Sequence, residues 1–312
     1  MVNFTPDQDI PDLAGKVIIV TGGSDGLGKE SVLQLSKHNA AHIYLAARSQ
    51  SKAESAIEEI KSKSPNACPI SFLELDLASF ASIKSAASTF QASNSRLDLL
   101  LCNAGLVGVT GTTKDGYETT FGVNHVGHAL FIKLLLPLVL KTAKEQPTSD
   151  VRVIVLASEA EMFAPKKYYL LEDAEIKSDL ISYSKFAKYG HSKIANIHYV
   201  QQLAKHYPEE EHRVKFASVH PGAVVTNLGS GLVEQMGVVG SVLRKVINVV
   251  LRMATVEEGA KNQLWALTAE GVKHGEYYVP VGVSGKGSAR IKDEGKAVQL
   301  WDWTEKELAA HA

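Results

Sequence analysis

The feature that most constrains the fold of this chain is a regular alternation of short apolar runs with longer helical windows. The runs are nearly continuous in apolar, often β-branched residues, which is typical of parallel strands buried on both faces. The helical windows between them provide the crossovers that parallel strands require. The sequence therefore predicts a doubly wound α/β fold of Rossmann type, with about seven strands and helices on both faces of the sheet. The predicted strands cover residues 16–21, 42–47, 69–75, 97–102, 151–157, 214–219 and 276–280.

Two segments, 160–186 and 227–253, do not fit the alternation. Each follows the carboxyl end of a predicted strand, where open α/β sheets bind ligands. We see no linker, low-complexity tract or internal repeat, so residues 1–312 are interpreted as a single domain with two substrate-loop insertions. We expect segment 227–253 to form a lid over an apolar substrate pocket. For residues 238–253 a helix that lies on a membrane surface is the alternative.

Charge and composition exclude several classes of protein. The formal net charge is −1 with no long run of one sign, whereas a nucleic-acid-binding protein should carry a basic face. Residues 1–15 resemble neither a signal peptide nor a membrane anchor, and the apolar stretches 130–140 and 238–251 are each too short to span a bilayer. Cys68 and Cys102 lie in apolar runs, which indicates buried thiols in a reducing compartment. The sequence predicts a cytoplasmic protein without an integral membrane segment.

The first predicted strand ends in a glycine-rich turn, TGGSDGLG (21–28), which is followed by a helical pattern. Glycine permits positive φ angles and close backbone approach, and the start of a helix favours a phosphate group. The spacing of Gly22, Gly26 and Gly28 differs from the GxGxxG pattern. A turn that serves only as a connection is the alternative, but its place between the first strand and the first helix favours a nucleotide site.

The residue after the second strand indicates which dinucleotide binds. An acid about 20 residues beyond the glycine turn holds a ribose hydroxyl, whereas an arginine accommodates a 2′-phosphate. Arg48 occupies this place and is followed by Ser49. We therefore predict NADP(H) in preference to NAD(H), with a solvated arginine as the alternative. Ser24 could donate a hydrogen bond to the phosphate, but Asp25 would repel it if the carboxylate pointed inward.

A tyrosine and a lysine, Tyr189 and Lys193, stand four residues apart in a helical window and so share a helix face. A free phenol has a pKa near 10, and a neighbouring ammonium lowers it. We expect a shift of roughly two or three units, which would allow proton exchange near neutral pH. The same spacing arises by chance on exposed helices, so alone it is weak evidence for a catalytic pair.

The motifs, taken together and in order, resemble the short-chain dehydrogenase/reductase family. The glycine spacing is similar to that of the single-domain branch, and the pattern is most similar to retinol-dehydrogenase-like and WW-domain-oxidoreductase-like members. The motifs that carry the resemblance are TGGSDGLG at 21, Asp76 in LDL, CNAG at 102–105, Asn124 in VNHVGH, Ser158 in VLAS, YGHSK at 189 and HPGAVVT at 220–226.

The resemblance implies catalytic roles for Asn124, Ser158, Tyr189 and Lys193. Tyr189 would protonate a carbonyl oxygen or take a hydroxyl proton, and Ser158 would hydrogen-bond the same oxygen. Lys193 would lower the pKa of the tyrosine and hold the nicotinamide ribose, and Asn124 would order a water that relays protons. Ser158 is assigned by its place at the strand end, because the usual doubled serine is Ala157–Ser158 here.

The resemblance also implies a set of cofactor contacts and, as in many family members, possible homodimers. Within this set Asp76 would contact adenine, Asn103 would brace the sheet, and Thr226 would contact the carboxamide. The full set is Gly22, Ser24, Gly26, Leu27, Gly28, Arg48, Asp76, Leu77, Asn103, Ala104, Gly105, Tyr189, Lys193, Pro221, Gly222, Val224 and Thr226.

The predicted function is NADPH-dependent reduction of an apolar or aromatic ketone or aldehyde. An NAD-dependent alcohol dehydrogenase and a non-catalytic nucleotide-binding module are the alternatives. No metal is predicted, because no acid or cysteine completes a ligand set with His125 and His128. These two histidines and His220 are interpreted as structural. The tail that carries Trp301 and Trp303 is expected to dock on the domain as a short helix.

Overall fold

The structure is a computed structural model that describes residues 2–146, 148–165, 176–179, 183–224 and 254–311. Thr226, the segment 227–253 and much of the segment 160–186 lie outside the described residues. The lid and the carboxamide contact therefore stay predictions, as does the assignment of residues 1–312 to a single domain.

Seven strands in the described part of the chain form one parallel sheet in the order β3-β2-β1-β4-β5-β6-β7. Every neighbouring pair of strands is parallel. The predicted fold class is therefore confirmed. The strands are β1 (Val17–Thr21), β2 (His42–Ala47), β3 (Ile70–Glu74), β4 (Leu99–Cys102), β5 (Val151–Leu156), β6 (Val214–Val219) and β7 (Tyr277–Tyr278).

Helices connect the strands, and a helix is the last element of the described chain. A π-helix at Gly122–Val126 joins α5 to α6, and 3₁₀ turns cover Glu159–Phe163 and Ala289–Lys292. The α-helices of the described residues are α1 (Pro6–Asp9), α2 (Gly26–Ser36), α3 (Gln50–Lys63), α4 (Phe80–Ser93), α5 (Thr119–Phe121), α6 (Gly127–Glu145), α7 (Lys185–His206), α8 (Glu209–His212), α9 (Val256–Thr268) and α10 (Glu294–Leu308).

Side-chain caps define where the longer helices begin. Ser49, Ser79, Ser184 and Thr255 each precede a helix, and the hydroxyl oxygen of each accepts a hydrogen bond from a backbone amide of the first turn. Such a cap satisfies one of the amide groups that the helix leaves without an internal partner. The caps fix the starts of α3, α4, α7 and α9 close to the sheet, and two of these helices border the cleft described below.

The sheet separates two apolar cores. Successive side chains of a strand point to opposite faces, so Ile18 and Val20 pack on one face and Ile19 packs on the other. The first face is covered by α2, α3 and α9, and the second by α4, α6, α7 and α10. Both faces of the sheet are therefore buried, as its apolar strands require.

The strand order reverses between β1 and β4. Strands β2 and β3 continue the sheet from β1 in one direction, while β5, β6 and β7 continue it from β4 in the other. The connections leave a crevice at the carboxyl ends of these two central strands, which is where doubly wound sheets bind ligands. The glycine turn after Thr21 and the CNAG motif that begins at Cys102 meet at this point.

The C-terminal tail docks on the domain as a helix, as predicted. In α10 the Trp301 ring stacks on His206 at a centroid distance of 4.3 Å and on Tyr199 at 5.4 Å. Trp303 meets Phe121 edge-on at 5.9 Å. Helix α10 therefore packs on α7 and on Phe121, which directly precedes the π-helix.

One helical run in the described residues, Thr119–Glu145, is long and apolar enough to cross a membrane, with a mean hydropathy of 1.6 in its most apolar window. The expectation that this stretch is too short is wrong, because the helix begins at Thr119 and not at Leu130. In that window 78% of the residues are buried inside the protein. The run therefore has the surroundings of a core helix.

Both cysteines are buried and free of disulfides, as predicted. Burial raises the pKa of the Cys68 thiol to about 11 and raises that of Cys102 further. Both side chains are thus protonated packing elements at neutral pH.

Candidate active site

The turn after β1 allows the backbone to come close to a ligand. Gly22 has φ +66° and Gly26 has φ +51°, both in the left-handed region that favours glycine. A Cβ on Gly28 would lie only 2.2 Å from the Gly22 carbonyl oxygen. Helix α2 begins directly at Gly26, so its first amide groups lie at the crevice, where they favour a phosphate.

A cavity of about 720 Å³ opens from this turn along the carboxyl edge of the sheet. Its size is within the range of cofactor sites. Together with the tight glycine turn and the start of α2, it fits a nicotinamide dinucleotide. The predicted cofactor residues of the described chain that do not line the cavity are Gly28, Tyr189, Lys193, Pro221, Gly222 and Val224. The predicted cofactor residues that do line it are Gly22, Ser24, Gly26, Leu27, Arg48, Asp76, Leu77, Asn103, Ala104 and Gly105.

Asn103 holds the ends of β1 and β4 together at the floor of the cavity. Its backbone amide donates to the Thr21 hydroxyl oxygen at 2.9 Å, and its side-chain amide donates to the Thr21 carbonyl oxygen at 2.8 Å. The Ala104 amide donates to the same hydroxyl oxygen at 2.9 Å. These are the contacts expected of a residue that braces the sheet beside a cofactor.

Polar side chains from two elements meet at the end of the cavity beyond β2. Arg48, Ser49 and Lys52 line it there, together with Ser24 from the glycine turn. The Ser49 hydroxyl oxygen caps α3 by accepting from the Lys52 amide at 3.4 Å, so the positive end of that helix lies at this place. The Asp25 carboxylate is exposed and accepts from the Gly26 amide at 2.8 Å. Lys52 was not predicted from the sequence, although its spacing of four residues from Arg48 places it on the same side of α3.

Asp76 lies on the other wall of this end of the cavity. Its carboxylate accepts from the Ala78 amide at 3.1 Å and pairs with the exposed Lys114 ammonium at 3.2 Å. The predicted contact of Asp76 with adenine stays a prediction. Gly222 has φ +90° and sits beside Pro280, where it turns the chain after β6.

Ser158 and Tyr189 come together beyond the carboxyl end of β5. Ser158 follows β5 and caps a 3₁₀ turn, with its hydroxyl oxygen accepting from the Ala160 amide at 3.1 Å. The Ser158 side chain lies near enough to the Tyr189 phenol to oppose in part the effect of burial on its pKa. A Cβ on Gly190 would lie 2.4 Å from the Ala160 carbonyl oxygen. The absence of a side chain at Gly190 thus lets α7 approach the 3₁₀ turn closely enough to join the serine to the tyrosine.

Lys193 and Asn124 complete the group on the same side of the cavity. The Lys193 ammonium lies over the Tyr189 ring, 5.4 Å from its centroid. The Asn124 side chain clamps the loop after β4, because its Nδ2 donates to the Leu106 carbonyl oxygen at 3.0 Å and its Oδ1 accepts from the Leu106 amide at 2.9 Å. A Cβ on Gly105, which lines the cavity, would lie 3.4 Å from Asn124 Oδ1 and 3.7 Å from Lys193 Nζ. Asn124 and Lys193 therefore lie behind Gly105 at the cavity wall and Tyr189 lies beside Lys193, although none of the four predicted catalytic residues is itself among the residues that line the cavity.

Asn124 is placed by an irregular turn that the sequence analysis did not predict. It lies in the π-helix Gly122–Val126, where the Gly127 amide donates to the Gly122 carbonyl oxygen. Single π turns inside α-helices are frequent at functional sites. The glycine at each end fits tight packing, since a Cβ on Gly127 would lie 2.4 Å from the Leu77 carbonyl oxygen.

Comparison with known proteins agrees with this geometry. Residues 16–167 match the family model of short chain dehydrogenases. A short-chain dehydrogenase/reductase of Armillaria gallica is 36% identical over 302 residues, which cover 96% of this chain and 92% of the relative. The chain belongs to the short-chain dehydrogenase/reductase family.

Two further likenesses accord with this assignment. Retinol dehydrogenase 12 of Mus musculus is 34% identical over 225 residues, which cover 72% of this chain and 65% of the relative. The crystal structure of an uncharacterized protein from Mycobacterium paratuberculosis superposes with a TM-score of 0.73 at 25% identity, covering 98% of this chain and 97% of that one. The resemblance drawn from the motifs is confirmed, and the chain is a hydride-transferring oxidoreductase of this family.

The protonation states of the short-chain dehydrogenase/reductase site differ from the expected ones. Burial raises the pKa of Tyr189 to about 12, against the opposing effect of the Ser158 hydrogen bond. Burial also lowers the pKa of Lys193 to about 7, although its ammonium donates to the Leu156 carbonyl oxygen at 2.9 Å. The expectation that Lys193 lowers the pKa of Tyr189 is therefore wrong for the protein by itself. Sequence spacing indicates which groups are neighbours but not how far burial disfavours their charged forms.

The lowered pKa of Lys193 makes stability depend on pH. Between pH 7 and about 10.4 the unfolded chain binds a proton on this lysine that the folded chain does not hold, so wild-type stability should rise with pH across this window. Lys193→Met removes the buried amine, while Asn196 still donates to the Leu156 carbonyl oxygen. We expect the variant to be more stable than wild type below pH 7, with the gain shrinking toward pH 10. Chemical denaturation at pH 6, 8 and 10 measures this, and a gain that is constant with pH would contradict it.

The remaining histidines do not form a metal site. Within the described ranges of the chain, no three His, Cys, Asp or Glu side chains meet in a way that could hold a metal ion. His125 Nε2 bonds the Thr304 hydroxyl at 3.1 Å. His220 Nε2 lies 3.3 Å from the Glu159 carboxylate, and its carbonyl oxygen accepts from Asn262 at 2.7 Å. These contacts suit structural roles.

Proposed function

We propose that this protein reduces an apolar or aromatic ketone or aldehyde with NADPH. The observation that carries the proposal is the position of Lys193 over the Tyr189 ring, with Ser158 near the phenol, beside a dinucleotide-sized cleft that Leu156, the acceptor of the Lys193 hydrogen bond, helps to line. The bound nicotinamide would supply the hydride. The residues of the chain then have to orient the carbonyl, stabilise the charge that develops on its oxygen, and provide a proton.

The roles of the catalytic residues follow from their contacts. Ser158 and Tyr189 would both donate a hydrogen bond to one carbonyl oxygen, because the serine side chain lies near the phenol. Tyr189 would then give its proton to that oxygen as it becomes an alkoxide. Lys193 lies over the Tyr189 ring and would supply positive charge as the phenolate forms. Asn124 would keep the loop at Gly105 and Leu106 in place against the reacting groups.

The protonation state of Tyr189 supports the reductive direction. With its pKa raised to about 12, the phenol keeps its proton throughout the physiological range. A protonated phenol is ready to act as a general acid toward a carbonyl, whereas alcohol oxidation begins with a base. We therefore favour carbonyl reduction over the opposite reaction.

The surroundings of the catalytic end support an apolar substrate. The cavity wall near Asn124 includes the side chains of Leu106, Val107 and Val109. Close to Ser158, Met162 and Phe163 are 52% and 57% exposed, which is unusual for large apolar side chains. Exposed apolar surface beside a cleft is typical of ligand-binding grooves. An apolar or aromatic carbonyl compound would cover this surface.

Cofactor preference depends on the cationic end of the cleft. Arg48, Lys52 and the N-terminus of α3 together favour a 2′-phosphate. Arg48→Asp should weaken NADPH binding by about 2 to 3 kcal/mol, roughly 30- to 150-fold, through a lost charge-assisted hydrogen bond and added repulsion. NADH binding should change much less, because NADH has no phosphate there.

Titration of both dinucleotides against wild type, Arg48→Asp and Lys52→Ala tests this preference. Lys52→Ala should weaken NADPH to a smaller extent, since an exposed lysine contributes a single point charge. Lys61→Ala, on the same helix but not in the cavity lining, serves as the matched control. Equal losses of NADPH and NADH affinity in Arg48→Asp would remove this arginine from the phosphate site.

A turnover screen tests the function itself. Diverse apolar and aromatic ketones and aldehydes are offered with NADPH and with NADH, and cofactor absorbance is followed. We expect NADPH consumption with at least one apolar carbonyl substrate. Tight NADPH binding without turnover of any compound would favour a non-catalytic nucleotide-binding module. Turnover only of alcohols with NAD⁺ would favour the oxidative alternative.

A further inference from the structure

A buried chain of hydrogen bonds links the nucleotide turn to the catalytic asparagine. The Thr21 hydroxyl oxygen accepts from two backbone amides, those of Asn103 and Ala104, at 2.9 Å each. Thr21 Oγ1 also lies 2.9 Å from His128 Nε2. His128 Nδ1 in turn lies 3.1 Å from the Asn124 carbonyl oxygen. Thr21 is fully buried and His128 is 2% exposed, so the chain is closed to solvent.

The donors and acceptors of this chain can be arranged in one way. A hydroxyl has two acceptor positions and one proton, and the two amides occupy both acceptor positions of Thr21. Its proton must therefore be donated to His128, which makes Nε2 the acceptor. The remaining proton of the neutral imidazole is then on Nδ1, where it donates to the Asn124 carbonyl oxygen. Burial lowers the pKa of His128 to about 4, in agreement with a neutral ring.

The two ends of the hydrogen-bond chain belong to two different parts of the site. Thr21 immediately precedes Gly22 in the nucleotide turn. Asn124 lies in the π-helix and holds Leu106 beside the catalytic lysine. A π turn is rare and occurs mostly as a single turn within an α-helix. An added donor to one of its carbonyl groups helps to fix its conformation. His128 connects Thr21 to Asn124 through its two ring nitrogens.

We propose that His128 is a positioning residue for the reaction, whose Nδ1–H tautomer holds the Asn124 turn in register with the nucleotide turn. The inference rests on the proposed function, because it assigns Asn124 to the reacting end of the cleft. The two ring nitrogens of His128 should have separable effects. The bond to Asn124 should govern turnover, and the bond to Thr21 should govern cofactor affinity. A displacement of about 1 Å at a reacting group can reduce a rate roughly a hundredfold. A small shift of the π turn that contains Asn124 would therefore be enough to lower kcat.

Two substitutions separate the halves of the chain. In His128→Asn the side-chain amide takes the place of Nδ1 and can still donate to the Asn124 carbonyl oxygen, but it cannot reach Thr21. In His128→Gln the longer side chain can accept a hydrogen bond from the Thr21 hydroxyl but cannot donate one to the Asn124 carbonyl oxygen. We expect His128→Gln to lose about tenfold or more in kcat with NADPH affinity nearly unchanged. We expect His128→Asn to keep most of its kcat and to bind NADPH several-fold more weakly.

His198→Gln is the matched control. His198 is also fully buried, its ring also bonds a backbone carbonyl, that of Arg290 at 3.1 Å, and burial also lowers its pKa to about 4. The His198→Gln variant measures how much stability is lost when a buried histidine that does not belong to this series of hydrogen bonds is replaced. If both His128 variants lose kcat and NADPH affinity together, in proportion to the fall in Tm that His198→Gln also shows, His128 is merely structural and the proposal is overturned.

A measurement on wild type decides the tautomer without any substrate. Long-range ¹H–¹⁵N correlation spectra should show His128 protonated on Nδ1 and unchanged between pH 5 and pH 9. Protonation on Nε2, or titration near pH 6.5, would overturn the proposal. If no substrate is found, the proposed function fails by itself, whereas the tautomer and the NADPH affinities of the two variants still test the chain.

Discussion

Tyr189→Phe is expected to lower kcat by about 10²- to 10⁴-fold, the range typical of a lost positioned proton donor. Phenylalanine keeps the ring under the Lys193 ammonium but removes the hydroxyl near Ser158 that would give the proton. NADPH affinity should barely change, because the phenol is not needed to hold the dinucleotide. Steady-state turnover and fluorescence titration of NADPH measure the two quantities.

Tyr199→Phe provides the control for this variant. Tyr199 lies on the same helix, α7, and is 3% exposed, but it packs on His125 and Trp301, away from Ser158. It should retain the wild-type rate. A Tyr189→Phe protein that melts like wild type, binds NADPH and turns over within tenfold of wild type would contradict the mechanism.

Lys193→Met is expected to lose both turnover and cofactor affinity, with kcat reduced about a hundredfold or more, as when a key electrostatic donor is removed. Methionine preserves the bulk of the lysine stem but supplies neither charge to Tyr189 nor a donor to the nicotinamide ribose. A loss of kcat and NADPH affinity together with the gain in stability described above would indicate that Lys193 is kept for catalysis, because a buried amine lowers the stability of the fold. Turnover, NADPH affinity and denaturation curves of one preparation give all three values.

Lys188→Met is the matched control, since Lys188 is 4% exposed and Lys193 is 3% exposed. Its ammonium pairs with the Asp179 carboxylate at 3.1 Å instead of facing the cleft. The control should lose about 1 to 3 kcal/mol of stability through its unpaired partner and keep most of its rate. Equal loss of turnover in both variants would mean that Lys193 acts through packing and not through its charge.

The fold could be predicted from the sequence because its signal is repeated. Each buried strand is an apolar run, and its helical connection forces it to lie parallel to its neighbour in the sheet. The glycine turn and Arg48 were placed correctly because both are defined by their distance from a strand end. Lys52 was missed because its relation to Arg48 depends on the helix that Ser49 begins.

Electrostatics and local geometry could not be predicted in the same way. The spacing of Tyr189 and Lys193 correctly brings them together, but their pKa values follow from burial, which spacing does not measure. The π-helix around Asn124 has no periodic signature, because it involves a single turn. His128 was interpreted as a structural histidine because its partners, Thr21 and Asn124, are distant from each other in sequence and carry no motif in common.

The order of the strands also bears on how proteins of this kind can diversify. The residues at the cationic end of the cleft, including Ser24, Arg48 and Lys52, all precede β4, whereas Ser158, Tyr189 and Lys193 all follow α6. Recombination between related genes within the connection from α6 to β5 would thus exchange cofactor preference and substrate chemistry as separate inherited units. Asn124 and His128 would travel with the cofactor half, so each such hybrid would test whether that half can position a catalytic half of different ancestry.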